Sequence, residues 1–213
     1  MALSDPASAA PASPFRTSAQ RLRERAEKRD AVLRAAVRMF NAKGFHATSL
    51  DDVAASLGIS KPTIYHYLGN KEQVLIECVS RGLEPLLAAA QAARGGPGSG
   101  LERLRGFLIQ YARINMDDFG RCMVRTGDEL LSPEAAREIR ARKRAIDAAL
   151  RTLIADGIAD GSIAPVDVRM MAFALAGALN WPARWHEPSG ALSPDAVAQA
   201  LVDALVGGLA PRA

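Results

Sequence analysis

The chain has 213 residues, of which 49% are apolar and only 5% aromatic, with a formal net charge of +4. That length suits one large core, or a small domain joined to a larger one, and the wealth of Ala and Leu favours helix over strand. The longest apolar run, Met170 to Leu179, is about half of what a membrane span needs, which argues against a membrane protein, and the mild positive charge admits nucleic acid without requiring it.

Residues 1–15 are rich in Ala, Ser and Pro, and the sequence predicts a disordered tail to about residue 20. They lack the basic start and apolar core of a signal peptide, so a cytoplasmic protein is expected. Between Arg16 and Lys43 stand nine basic residues against three acids, a distribution that suits phosphate contact. A helical pattern begins near Arg21 with a highly charged part, in which Arg23, Arg25 and Lys28 either reach a DNA backbone or simply keep the helix solvated. Its buried stripe is Val32, Leu33, Ala36, Val37 and Phe40; Gly44 stops it and Phe45 folds back on the last turn.

The segment Thr48 to Lys71, TSLDDVAASLGISKPTIYHYLGNK, reads as two short helices with a sharp turn between them. Ser49 caps the first, with Asp52 closing a capping box, and Val53, Ala54 and Leu57 share a face. Gly58 ends it in the left-handed conformation and Ile59 plugs the corner. Ser60 caps the second helix, where Pro62 is tolerated in the first turn. Gly69 breaks the chain, and Asn70 with Gln73 caps the next helix. Ile64 and Leu68 anchor the second helix, which leaves Lys61, Thr63, Tyr65, His66 and Tyr67 crowded into about two turns. Donors for phosphates and base edges, together with methyls and rings for thymine, are what a helix needs in a major groove. A solvated helical hairpin is the bland alternative.

These residues resemble the DNA-binding signature of the TetR family of bacterial regulators from about Val32 to Leu75. The shared pattern is a Thr or Ser opening, a Gly-hydrophobic-Ser turn, Thr-hydrophobic-Tyr with a following aromatic, and a Lys-Glu pair, here Lys71-Glu72. Leu68 stands where the family usually has Phe. The resemblance implies an operator-binding surface made from Thr48, Ser49, Ser60, Lys61, Pro62, Thr63, Tyr65, His66, Tyr67 and Lys71.

A long helix is predicted from Lys71 to about Ala93, with Gly82 and Pro85 inside it expected to bend it. The stretch 94–100, RGGPGSG, is a flexible loop. Helical spacing resumes from Leu101 to Phe119 and ends at Phe119-Gly120, and the next twelve residues hold one or two turns around Cys122 to Glu129. Pro133 opens a helix to about Asp156, basic on one side (Arg137, Arg140, Arg142, Lys143, Arg144) and apolar on the other. Asp167 starts a helix that is apolar nearly all round, through Val168, Met170, Met171, Phe173, Leu175 and Leu179, and so expected to be buried on several sides. The last helix begins at Ser193-Pro194 and carries the stripe Val197, Leu201, Leu205 and Leu209.

The last two helices are too apolar for one chain to cover, so pairing with a second copy in a symmetric four-helix bundle is expected. Two copies would also read two half-sites one helical turn apart, hence a pseudo-palindromic operator. Closure of a monomeric core is the alternative. Scattered large side chains suggest an apolar ligand site with a few polar orienters: Phe107, Tyr111, Met116, Phe119, Met123, Asp128, Phe173, Asn180, Trp181 and Arg184. The stretch Asn180 to Gly190, NWPARWHEPSG, is similar to a signature in TetR-like regulators of lipid and steroid catabolism, with His186 in place of an expected Tyr. That similarity implies an acyl-coenzyme A effector, whose phosphates Arg184 and the Arg137–Arg144 cluster would meet. Packing of the two tryptophans in a dimer, with solvated arginines, is the other reading.

Catalytic frames are missing: no GxSxG, HExxH or phosphate loop occurs, and His46, His66 and His186 lie in separate segments. Cys78 and Cys122 sit in no metal-binding spacing and read as reduced structural thiols. The sequence thus predicts an all-α protein, with a tail (1–20), a three-helix helix-turn-helix DNA-binding domain (21–70) and a helical ligand-binding and dimerisation domain (71–213). It is expected to be an effector-released repressor and not an enzyme, with no cofactor and no membrane partner. An effector-independent chromosomal protein and, remotely, an acyl-CoA-processing enzyme are the alternatives.

Overall fold

A computed structural model describes residues 17–207, and among them finds ten α-helices, one 3-10 turn and no strand. The tail expected over residues 1–15, and Leu209 of the predicted final stripe, lie outside the described residues. Helix α1 spans Ser18–Lys43, starting ahead of the predicted Arg21 and inside the segment assigned to the tail. The reason is local: the Thr17 hydroxyl accepts from the Gln20 amide at 3.2 Å, while the Gln20 side chain accepts from the Thr17 amide at 2.8 Å.

Helices α2 (Leu50–Ser56) and α3 (Lys61–Leu68) pack on α1. Ser49 and Asp52 form the expected capping box. The turn is a Schellman motif: Gly58 has φ +63°, its amide donates to the carbonyl of Ala55, and Ile59 donates to that of Ala54. This early stop leaves Leu57 exposed, not on the buried face where its spacing places it. At Ser60 the hydroxyl pairs with the Thr63 hydroxyl at 2.8 Å, so Ser60 holds the cap position without bonding a helix amide.

Helix α4 (Lys71–Arg94) opens with the predicted Asn70–Gln73 box and stays helical across Gly82 and Pro85. Gly82 is required by packing: a Cβ there would stand 2.7 Å from the backbone oxygen of Phe119. Helix α5 (Gly100–Met116) ends earlier than expected, and α6 (Asp118–Arg125) follows at once. Asp117 caps α6 by accepting from Gly120 N at 2.6 Å. A Cβ on Gly120 would fall 1.8 Å from the carbonyl of Ile114, so the glycine permits a sharp reversal where spacing predicts only a helix end. A 3-10 turn, Asp128–Leu130, precedes α7 (Pro133–Ala159), which outlasts its predicted end at Asp156.

Helix α8 (Val168–Asn180) is not buried on several sides. Only Ala172, Leu175 and Leu179 are buried, while Met170 and Phe173 are 53% and 49% exposed. The NWPARW stretch adds a helical turn, α9 (Pro182–Trp185), and α10 (Pro194–Gly207) follows. The core stripe of α10 is Val197, Ala198, Val202 and Val206, with Leu201 and Leu205 only half-buried. The apolar interior is continuous, running from Leu33 and Ile64 through Leu75 and Leu83 to Leu150, Leu179 and Val202. Helix α4 lies along this axis, packed on α5, α6 and α7.

Candidate nucleic-acid interface and internal cavity

Ile64 and Leu68 pin α3 to the head, which turns the rest of the helix outward. Lys61, Pro62, Tyr65 and His66 are exposed, while Thr63 and Tyr67 are half-buried. Lys61 Nζ lies 2.6 Å from Asp51 Oδ2, and this hydrogen bond raises the lysine pKa. His66 Nε2 is 3.4 Å from Arg25 Nη2, so one arginine of the charged α1 start does stand beside α3. Lys71 Nζ rests 4.2 Å from the centre of the Phe45 ring, a cation–π contact.

Two of the serine and threonine assignments change character. Thr48 is buried, with its hydroxyl donating to the carbonyl of Gly44 at 2.9 Å, so it braces the α1–α2 turn and does not face outward. The Ser49 hydroxyl sits 2.6 Å from Asp52 Oδ2 and is engaged as a cap.

The head is moored at two places. Near the middle of α1, Arg29 makes a paired contact with Glu77 of α4, and Arg81 of α4 binds both Asp30 and Glu77. Arg34 first, and Arg81 after it, hold the Asp30 carboxyl below the usual carboxylate range. At the end of α1, Arg38 binds Asp118 at 2.7 Å and the Asn41 amide donates to the Asp118 carbonyl at 2.7 Å. Arg125 of α6 then spans three backbone oxygens, those of Asn41 (2.8 Å), Ala183 (3.0 Å) and Arg184 (3.2 Å).

Behind the head lies a cavity of about 770 Å³, within the range of small-molecule sites. Its apolar wall is Leu83 and Leu86 of α4, Met123 and Val124 of α6, Ile146 and Leu150 of α7, and Phe173 and Ala176 of α8. Its polar end holds Tyr111 and Asn180, joined by a 3.0 Å bond from the phenol to Asn180 Oδ1, which also accepts from Asn115 at 2.9 Å. Burial pushes the Tyr111 phenol pKa up, so it stays a neutral donor. Lys143, Arg144, Asp147 and Arg151 complete the lining; Asp147 pairs with Arg151 at 2.7 Å, while the first two have no acidic partner among the described residues.

Of the residues proposed for a ligand, Tyr111, Met123, Phe173 and Asn180 line this cavity. The others do not. Met116 is packed in the core, Phe119 borders a separate cleft between Arg34 and Arg81, and Phe107 borders a groove between α4 and α5. Trp181 is 62% exposed and Arg184 points to solvent. The Asp128 side chain lies outside the described part. Sequence reasoning misses Leu83, Leu86, Ile146 and Leu150, because Leu and Ile at helical spacing look the same whether they face core or cavity.

His186 has a different job from a ligand contact. It is buried, donating from Nε2 to the Leu192 carbonyl at 2.9 Å while Nδ1 accepts from Arg121 at 3.1 Å. Arg121 also donates to the carbonyls of Met116 and His186, and its burial lowers its pKa.

A three-helix head with an outward polar-aromatic helix, moored to an all-helical body that encloses a cavity, defines a helix-turn-helix regulator. The family models agree. Residues 32–78 match "Bacterial regulatory proteins, tetR family" and residues 97–209 match "Tetracyclin repressor-like, C-terminal domain". The chain belongs to the TetR family of transcriptional regulators, which removes the enzyme alternative.

Among solved structures it is similar to the TetR family regulator PfmR of Thermus thermophilus, at 34% identity and TM-score 0.76, covering 84% of this chain and 99% of that one. It is 29% identical to the HTH-type transcriptional repressor KstR2 of Mycolicibacterium smegmatis, over 86% of this chain and 91% of that protein. It also resembles AibR, solved in complex with isovaleryl coenzyme A and operator DNA, at 26% identity and TM-score 0.73, with 87% and 100% coverage. No helix among the described residues is long and apolar enough to cross a membrane.

Proposed function

We propose that this protein is a cytoplasmic homodimeric repressor that leaves a pseudo-palindromic operator when an acyl-coenzyme A thioester enters the α4–α8 cavity. The single observation that carries the reading is the composition of that cavity: an apolar wall for an acyl chain, with Lys143 and Arg144 at one side for phosphates. The likeness to AibR, whose structure holds isovaleryl coenzyme A, supports the same ligand class.

In this reading Ser49, Ser60, Lys61, Pro62, Thr63, Tyr65, His66, Tyr67 and Lys71 make the DNA face. Thr63 and His66 reach base edges, and Lys71 meets phosphate. The dimer forms through α8 and α10, with exposed apolar surface at Met170 of α8 and at Trp181, Trp185 and Leu192 on the segment that joins the two helices. Supporting the release mechanism, α6 carries Met123 and Val124 on the cavity side and Asp118 and Arg125 on the α1 side. A ligand that displaces α6 or α4 therefore shifts the head, and the spacing of two recognition helices with it. Such couplings are about 1–3 kcal/mol, roughly 5–150-fold in affinity.

A mobility-shift titration on the DNA upstream of the gene, with and without isovaleryl- and longer-chain acyl-CoA, tests this. Several-fold weaker operator binding with a thioester, but not with free coenzyme A, is expected. Affinity that is indifferent to every thioester would overturn it.

A further inference from the structure

Cys78 and Cys122 are far apart in the sequence, yet both are buried on the packed helices α4 and α6, where the two thiols influence one another. The two helices meet here with almost nothing between their backbones. Gly82, one turn beyond Cys78, lies against the main chain of Phe119, one turn before Cys122. Both sulfurs are buried, at 0% and 3% exposure, but they are not equally enclosed. Cys122 borders a small cleft of about 180 Å³ lined by Phe40, Asn41, Phe45, Arg125 and Thr126, a path for a molecule the size of hydrogen peroxide. Cys78 has no such opening among the described clefts.

From this juxtaposition we infer that Cys78 and Cys122 are an oxidative modification site, closing an intramolecular disulfide that staples α4 to α6 when the protein meets a peroxide. Close backbone approach is the condition a disulfide imposes on its two residues. In proteins of reducing compartments such bonds are mostly transient and redox-sensing.

The steps balance with peroxide as the oxidant. The Cys122 thiolate attacks one peroxide oxygen; the S–O bond forms as the O–O bond breaks, giving a sulfenic acid and, with one proton, water. The Cys78 sulfur then attacks the Cys122 sulfur; the S–S bond forms, the S–O bond breaks, and the hydroxide leaves as water with the Cys78 proton. Two thiols lose two electrons and two protons, and the peroxide becomes two waters. The order follows the geometry, because the sulfur beside the cleft meets the oxidant first. The contact favours it too: donation from Cys78 lowers the Cys122 pKa, whereas donating to Cys122 and burial push Cys78 up.

The test uses the full chain, reduced, desalted and exposed to a modest excess of hydrogen peroxide. It is then alkylated under denaturing conditions and digested without reductant. A Cys78–Cys122 linked peptide is expected, lost on treatment with dithiothreitol, in protein that stays one chain on a non-reducing gel. In Cys78→Ala, Cys122 should be trapped by dimedone as sulfenic acid; in Cys122→Ala, Cys78 should remain a free thiol. Complete alkylation of both cysteines in oxidised wild type, or a disulfide only between copies, would overturn the assignment. Should either variant fail to fold, the wild-type peptide map decides alone.

Discussion

At the residue scale, the face of α3 divides by reach. Thr63 and His66 sit on its outward side, while Lys71 is at the start of α4, held against Phe45. His66→Ala and Thr63→Ala are each expected to change which operator variant is preferred, by about 1–3 kcal/mol at the affected base pair. Lys71→Ala should weaken all duplexes alike and flatten the salt slope by about one. Titrations against a panel of operator variants at several salt concentrations separate the two outcomes; the same loss for all three substitutions would contradict the division.

Most of this surface is legible in the sequence, because the apolar anchors Ile64 and Leu68 fix what faces out. Thr48 is not, for a physical reason: a threonine before a helix looks the same in sequence whether its hydroxyl faces solvent or bonds the preceding turn. Nor is the place of Arg25, because a charged helix start gives no clue to which of its side chains meets a helix some 40 residues later.

At the element scale, α4 is the member on which head and body both depend. Gly82→Ala would push a methyl within 2.7 Å of the Phe119 oxygen and 3.0 Å of Met123 Cβ, backbone and near-backbone atoms that cannot swing away. A loss of about 1–3 kcal/mol is expected by chemical denaturation, against the gain that Ala ordinarily brings inside a helix.

The α1–α4 mooring gives a pH signature. Asp30 is depressed by Arg34 and Arg81, so its contribution to stability is fully present above the ordinary carboxylate pKa of about 4 and is lost as pH falls through the depressed value. The difference in melting temperature between wild type and Asp30→Asn should be constant near neutrality and shrink below about pH 4. A difference that grew in acid would refute the linkage.

The sequence indicates the start of α4 fully, through the Asn70 box, but its glycine reads only as a bend and gives no hint of the contact it makes with Phe119. The α5–α6 break is displaced for a like reason. Gly120 looks like a stop, whereas its value lies in what it lets pass, the Ile114 carbonyl. Spacing within one helix carries no information about the backbone that will lie across it.

At the scale of the molecule, the unburied side of α8 is the surface that needs an explanation. Near-uniform apolarity leads to the expectation of burial, and a single chain leaves Met170, Phe173 and Trp181 about half or more exposed. In the proposed dimer a second copy would cover that surface. Met170→Glu combined with Trp181→Glu should give a monomer by analytical ultracentrifugation, with the circular dichroism of the wild type. Operator affinity should fall about 100-fold or more as bivalent reading is lost. An intact dimer would move the interface elsewhere.

Finally, the Arg125 anchorage has a consequence for behaviour in acid. The oxygens it holds on Asn41, Ala183 and Arg184 belong to peptide groups, which take up no proton where carboxylates do. Acidification therefore loosens α1 unevenly: the stretch around Asp30 lets go, while the Asn41 end loses its Arg38–Asp118 pair but keeps the Arg125 tether. The reading head would swing about a fixed heel, detaching neither all at once nor symmetrically.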